Sequence, residues 1–225
     1  MDPRTFKDQI YAGFTQIGKV VSSPKRIELL DLLSQSPKTV ETLVKETAMS
    51  TANTSKHLHA LLEAQLVRYE KEKNYVIYQL ANEKVVDLLF AIKTIAEEQI
   101  EDVTRLRDEF IVRSDDLETI TLEEWLNRRD TNEHVLIDVR PQEEYVNEHI
   151  DGALSIPIEA LNEHISLLPM DKEVIAYCRG AYCVYATEAV ERLKVLGYQA
   201  VRLEAGVHEW REHYHKQTDD FVRKR

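Results

Sequence analysis

The sequence predicts two domains: a mainly helical unit closing on a β-hairpin, then an α/β unit built on a mostly parallel sheet. Three observations carry this. Apolar residues recur at helical spacing up to Ala64 and again from Asn82 to Phe110, with two β-rich runs between them. After residue 120, short β-rich runs alternate with helical ones. A chain of 225 residues also suits two modest domains better than one, each large enough to bury a core. The boundaries read as 1–111 for the first domain, 112–119 for a linker and 120–225 for the second.

In the first domain, Ser23-Pro24 precedes RIELLDLLSQ, whose Ile27, Leu29, Leu30, Leu32 and Leu33 form an apolar face. Ser36-Pro37 breaks that helix. TVETLVKETA comes next as a short helix with Leu43 and Val44 inward. Ser50 is the expected N-cap of the next helix, TANTSKHLHALLEA. There Thr54, Leu58, Leu61 and Leu62 share one face, leaving Asn53, Lys56 and Ala60 on the other. LVRYE and YVIYQL, separated by the polar KEKN, form a hairpin. From Asn82 to Phe110 a single long helix is expected, its apolar stripe too long for a small domain to cover, so a second copy is its natural partner. The competing reading lays that helix across its own domain or the next one.

VRSDDLET has no periodicity and reads as the linker. Beyond it come VLIDVR, EEYVNEHI, ALSIP, EALNEHISLL, EVIAYC, VYATEAVERLKVLG, AVRLEA and VHEWREHYH, strand and helix in turn.

Composition narrows the function classes. Charged residues at 31% and hydrophobic ones at 43% describe a globular chain, and no apolar run approaches the ~20 residues of a membrane span. MDPRTFKDQI has no signal-peptide core, so a cytoplasmic protein with no membrane partner is expected. Two cysteines, five positions apart, are too few for a disulfide framework and suggest chemistry instead. The net charge of −11 is uneven: residues 1–80 carry 11 Lys+Arg against 9 Asp+Glu, while the rest holds 18 against 31. A local basic face for nucleic acid is therefore compatible with an acidic chain.

Helix, turn, second helix and β-wing form a winged helix-turn-helix, whose second helix enters the major groove while the wing approaches the backbone. Thr51, Asn53, Ser55 and Lys56 supply short donors and acceptors, an amide that can pair with adenine, and a cation. Lys71 and Lys73 in the wing can neutralise phosphates. His57 either contacts the backbone or packs against the helix above. For each of these side chains the alternative is an exposed position with no contact. SSPKRIELLDLL, TVETLV, STANTSKHLHALLEAQLV and the wing ending VIYQL together resemble the ArsR family of winged-helix repressors over roughly residues 10–100. The resemblance implies a homodimer, paired through the first helix and the long helix after the wing, on palindromic double-stranded operator DNA. Members that sense metals use cysteines in the helix before the recognition helix. TVETLVKE has no thiol and the long helix has no histidine, so metal sensing by that route is not expected.

In the second domain, EVIAYCRGAYCVYATEAV reads as a buried strand, Cys178, a tight turn and a helix. A thiol at a helix N-terminus is surrounded by N–H groups and the positive end of the dipole, which favours thiolate or persulfide anion. Arg179 adds positive charge. The alternative is a buried structural cysteine. VLIDVRPQEEYVNEHIDGALSIPIEAL, AYCRG and LEAGVHEW, in that order, resemble the rhodanese family over about residues 115–216. That resemblance implies that Cys178 accepts sulfane sulfur as a persulfide in the loop Cys178–Cys183, and that Asp138 and Arg140 brace the fold nearby. The family's GHI is Glu148-His149-Ile150 here, for which a local change is expected. Active thiosulfate sulfurtransferases carry further cationic or hydroxyl groups in this loop. Here Arg179 is the only charged residue and the sixth position is Cys183, so slow thiosulfate turnover is expected. Cys183 is either a second thiol able to resolve a modified Cys178 or a small buried residue in the first helical turn.

Other clusters weigh less. Glu212-His213-Tyr214-His215 with His208 reads as an exposed polar helix face rather than a metal site, and Arg223-Lys224-Arg225 as a solvated tail. Asp138, Glu143, Glu144 and Glu148 lack any sugar-binding pattern. No cofactor or metal is expected. The expected function is a dimeric regulator whose second domain senses or processes reactive sulfur, with a sulfane-sulfur or thiol small molecule as partner. The rival is a sulfurtransferase whose winged helix serves dimerisation or localisation, and a third reading makes the second domain an inert partner-binding module.

Overall fold

The computed structural model describes residues 1–112 and 117–214. The chain forms two compact units that divide between Gln99 and Ile100.

In the first unit, α1 (Pro3–Val21) and α2 (Pro24–Gln35) each open on proline, which loses no hydrogen bond at a helix start. Arg26 donates to the carbonyls of Lys19 and Val20 at the end of α1, which fixes the corner between the two helices. A short strand β1 (Lys38–Thr39) leads into α3 (Val40–Thr47), capped by the Thr39 hydroxyl. Ala48 adopts φ 52° and turns the chain towards α4 (Thr51–Glu63), where Ser50 accepts from the Asn53 N–H as expected. Leu29, Leu30, Leu43, Leu58 and Leu61, almost fully excluded from water, lock α2, α3 and α4 together. Strands β2 (Val67–Glu72) and β3 (Tyr75–Leu80) form the hairpin, with β1 on the other edge of β3, all antiparallel. β2 runs further than the sequence suggested, so the connection shrinks to Lys73-Asn74 and Lys71 lies within the strand. Helix α5 (Glu83–Gln99) packs its Val85, Val86 and Leu89 inward.

The single helix expected from Asn82 to Phe110 is not continuous. Ile100 has an extended backbone (φ −121°, ψ 96°) and starts a new helix, α6 (Glu101–Arg107), which runs into a π-turn over Asp108–Val112. Glu97 and Glu98 lie one turn before Glu101 and Asp102, so an unbroken helix would stack like charges at i and i+4. The β-branched Ile100 is the point at which the helix gives way.

The second unit holds five parallel strands, β4 (Thr119–Ile120), β5 (His134–Asp138), β6 (Leu154–Ser155), β7 (Glu173–Tyr177) and β8 (Ala200–Leu203), in the order β4-β8-β7-β5-β6. The helices between them are α7 (Leu122–Arg128), opened by a Thr121–Glu124 capping box, α8 (Gln142–Asn147), α9 (Leu161–His164) flanked by 3₁₀ turns, and α10 (Val184–Val195), and α11 (207–214) follows β8. Helices cover both faces, so β7 is buried almost throughout. One core cluster gathers Val174, Ala176, Cys178 and Ala200 with Ala186, Ala189, Val190 and Leu193 of α10. The opposite face gathers Ile175, Tyr177, Val201 and Leu203 with Trp125 of α7. The π-turn belongs to this unit: Ile111 is buried, and its carbonyl accepts from the Thr187 hydroxyl of α10 at 3.1 Å. Of the expected linker 112–119, residues 113–116 lie outside the described residues. Among the described residues no helix is long and apolar enough to cross a membrane.

Candidate functional site

β7 ends at Tyr177, and the next residue, Cys178, is 1% exposed. Five residues on, Cys183 is the N-cap of α10, and the two cysteines form a disulfide with Cα atoms 6.1 Å apart. The Cys178 sulfur therefore sits at the positive end of a twelve-residue helix. The loop closes on itself: the Cys183 N–H donates to Gly180 O at 3.2 Å, and Gly180 takes φ 103°, open to glycine at little cost.

Two neighbours hold this loop from below. Gly206 lies so close that a Cβ there would stand 2.8 Å from Gly180 N and 2.9 Å from Arg179 C and Cys178 O. The Gly206 N–H donates to the Glu209 carboxylate at 2.9 Å, and that carboxylate reaches the space a Cβ on Gly180 would enter. Arg202 of β8, 1% exposed, donates from its Nη2 to Gly180 O at 3.2 Å and Ala181 O at 2.8 Å.

A second buried network stands beside the strand ends. Arg140 makes a fork with Asp138 at 3.0 and 2.7 Å and donates to Glu148 O at 2.7 Å. The Tyr177 hydroxyl donates to Asp138 Oδ2 at 2.6 Å and accepts from Ile150 N–H at 3.0 Å. Burial first, then the Asp138 charge, holds the Tyr177 phenol well above its ordinary value, so it remains a donor. Glu148 has ordinary extended backbone (φ −164°, ψ 141°), which is why this turn needs no glycine.

In the first unit, α4 presents Thr51, Asn53, Ser55 and Lys56 to solvent, apart from its buried face, and the wing presents Lys71 and Lys73. His57 is half-buried on the same helix. Burial, then the charges of Arg26, Lys56 and Lys25, push its pKa below the ordinary value, so the ring is neutral at pH 7. Arg68, Gln79 and Glu70 form a hydrogen-bonded ladder across the wing, which stiffens it.

Two family models match this chain: bacterial regulatory protein, arsR family, over residues 23–69, and rhodanese-like domain over residues 121–213. An HTH-type transcriptional regulator of Mycobacterium tuberculosis is 37% identical over 196 residues, covering 87% of this chain and 86% of that protein. The chain belongs to the arsR family, as a transcriptional regulator fused to a rhodanese-like domain. A sulfurtransferase of Allochromatium vinosum is 31% identical over 85 residues, 37% of this chain and 78% of that protein. The homodimeric winged helix-turn-helix domain of a possible ArsR-family regulator from Mycobacterium bovis aligns at 28% identity and TM-score 0.42, covering 45% of this chain and 93% of that one.

In this arsR-family regulator one expectation about the loop needs correcting. Arg179 does not offer its charge to Cys178 unopposed, because the guanidinium is held by the fully buried Glu144 at 2.5 and 2.9 Å. Asp138, Glu144 and Glu148 are all engaged in ion pairs, Glu148 with Arg211 at 3.1 Å. His208 lies 3.3 Å from Arg211 through Nδ1, and His213 packs edge-on to Tyr214 on α11. His215 and Arg223-Lys224-Arg225 lie outside the described residues.

Sequence reasoning passed over Arg202, Gly206 and Glu209. Arg202 left a signal, since an arginine inside the apolar run AVRL breaks the pattern of a strand buried on both faces. Gly206 and Glu209 stand three apart at the start of α11, and nothing local ties them to a loop some twenty-five residues earlier.

Proposed function

We propose that this regulator is a dimeric, operator-binding repressor whose rhodanese-like domain takes up reactive sulfur at Cys178 and passes to a second state through Cys183. The observation that carries this reading is the pairing of the two thiols between the end of β7 and the N-terminus of α10. The chemistry balances in two steps. The Cys178 thiolate attacks the sulfane sulfur of a persulfide or polysulfide, forming a Cys178 persulfide and expelling the donor's thiolate. The Cys183 thiol then attacks Cys178 Sγ, its proton leaving with the terminal sulfur as HS⁻, and the disulfide forms. In a reducing cytoplasm such a bond is transient and suits a signal better than a framework.

At the other end, Thr51, Asn53, Ser55 and Lys56 read base edges, Lys71 and Lys73 meet phosphates, and His57 contributes as a neutral ring. The partner copy covers the apolar face of α1, where Phe6, Ile10 and Phe14 stand exposed at helical spacing. A second reading, a sulfurtransferase carrying an idle winged helix, is favoured by the likeness of the second domain to a curated sulfurtransferase.

Operator binding by the purified dimer, before and after polysulfide, separates the two. The repressor reading expects an affinity change of ~5–150-fold in the wild type and none in Cys178→Ser. Rapid, saturable turnover of thiosulfate with an unaltered operator affinity favours the enzyme instead.

A further inference from the structure

We infer that Arg202 is the positioning cation of the sulfur loop, keeping Cys178 anionic by turning the loop's carbonyls away from it and lending a buried positive charge. This rests on the reading of Cys178 as the sulfur-accepting thiol. Arg202 pairs with Ala176 in the sheet, and Ala176 and Cys178 belong to one core cluster, on the face opposite Tyr177. Val201 and Leu203 face the Tyr177 side, so strand alternation puts Arg202 on the same face as Cys178, one strand away.

From there its Nη2 draws the Gly180 and Ala181 carbonyls onto itself. In a trans peptide the N–H points opposite to the C=O, so those two peptides direct the N–H groups of Ala181 and Tyr182 away from Arg202. Carbonyl oxygens left facing the sulfur would oppose a thiolate. Arg202 removes them from that role.

Its charge is also less spent than that of Arg179. Arg179 is neutralised at close range by Glu144, whereas Arg202 has its Nε buried with no hydrogen-bond partner among the described residues. Burial is the largest influence and pulls its pKa below the ordinary arginine value; of the charged groups facing it, Glu204 favours the cationic form and Arg107 of α6 opposes it. Around the loop itself, Glu209 borders Gly180 and Glu144 holds Arg179. Burying an arginine costs much, and here the outlay goes to a loop of six residues rather than to a carboxylate partner.

The test uses the full-length reduced protein and the rate of iodoacetamide alkylation against pH. Trypsin cleaves after Arg179, so Cys178 and Cys183 fall on different peptides and mass spectrometry reads each separately. Arg202→Gln keeps an N–H donor for the carbonyls and removes the charge, while Arg202→Lys keeps the charge and loses the planar fork. We expect the Cys178 midpoint to rise by about one pH unit in Arg202→Gln, a tenfold loss of thiolate below it, and to stay within about 0.3 unit in Arg202→Lys. A purely structural arginine would lower stability in both variants without the midpoint following charge.

Either variant decides alone if the other fails to fold. An unmoved midpoint in Arg202→Gln, or one raised to the free-thiol value in Arg202→Lys, overturns the inference. Polysulfide is added to the wild type in parallel. Absence of any mass gain or disulfide there rejects Cys178 as a sulfur acceptor, while a normal gain with unmoved midpoints rejects only the part assigned to Arg202.

Discussion

At the scale of single residues, the loop from Cys178 to Cys183 shows how narrow the tolerance around Cys178 is. Gly206 touches three backbone atoms of residues 178–180 at distances no Cβ can occupy, and backbone cannot retreat as a flexible side chain can. Gly206→Ala is expected to cost ~1–3 kcal/mol in urea denaturation and to displace the loop. If that variant unfolds at the wild-type midpoint and takes up sulfur at the wild-type rate, the close approach has no consequence. Cys178 itself was legible, because a thiol between a buried strand and a helix announces its setting within a few letters. Arg179 was misread for a physical reason: adjacency in sequence gives no information on the carboxylate waiting thirty-five residues earlier, Glu144. Arg202 lies on another strand and reaches the loop only through parallel pairing, which sequence alone does not register.

At the scale of elements, helices with caps were readable and their interruptions were not. Ser50 and the Ser23-Pro24 pair before α2 mark helix beginnings by hydrogen-bonding logic that needs no tertiary information, whereas the start of α1 at Pro3 and the Thr39 cap went unread. The apolar stripe from Val85 to Phe110 kept its period across Ile100, so periodicity missed the break, to which the stacked acidic pairs contribute. Beyond the break, the π-turn packs on α10: the Ile111 carbonyl takes the Thr187 hydroxyl, one turn along from Cys183. Helix α1 is the opposite case, nineteen residues with none buried. Only its end, Ile17, Val20 and Val21, packs against the core, and helices draw little stability from propensity alone, so the rest of its apolar face calls for a covering surface. Phe14, 66% exposed beside Tyr11, stands within the stripe. Phe14→Glu should leave the unit folded by circular dichroism and shift it from dimer to monomer in sedimentation. A Phe14→Glu protein that stays dimeric at micromolar concentration places the subunit interface elsewhere.

At the scale of the whole molecule, the winged-helix unit and the rhodanese-like unit must exchange free energy if the proposed sulfur uptake is to control operator binding. The unbroken helix expected between the wing and the rhodanese-like domain is interrupted: α5 ends at Gln99 and α6 begins at Glu101, where the compact units divide. Sulfur state alters operator affinity only if it favours one arrangement of the dimer over another, and a useful switch needs ~1–3 kcal/mol between them. Under the proposed function, that energy passes along the chain itself: α10 leads from Cys183 to Thr187, whose hydroxyl meets the Ile111 carbonyl, and Ile111 continues through α6 and Ile100 into α5. Inserting Gly-Ser-Gly after Gln99 lengthens that route without touching either unit's core. We expect operator affinity of the reduced protein to stay within about twofold, because the winged helix is unaltered. The response to polysulfide should fall from ~5–150-fold to below twofold, since an added flexible segment stores almost none of the difference. Mass spectrometry must show the cysteines modified as in the wild type, so that a lost response reflects lost transmission. A response that survives the insertion at full size means that the two units communicate through their surfaces, and the break at Ile100 is then a simple joint.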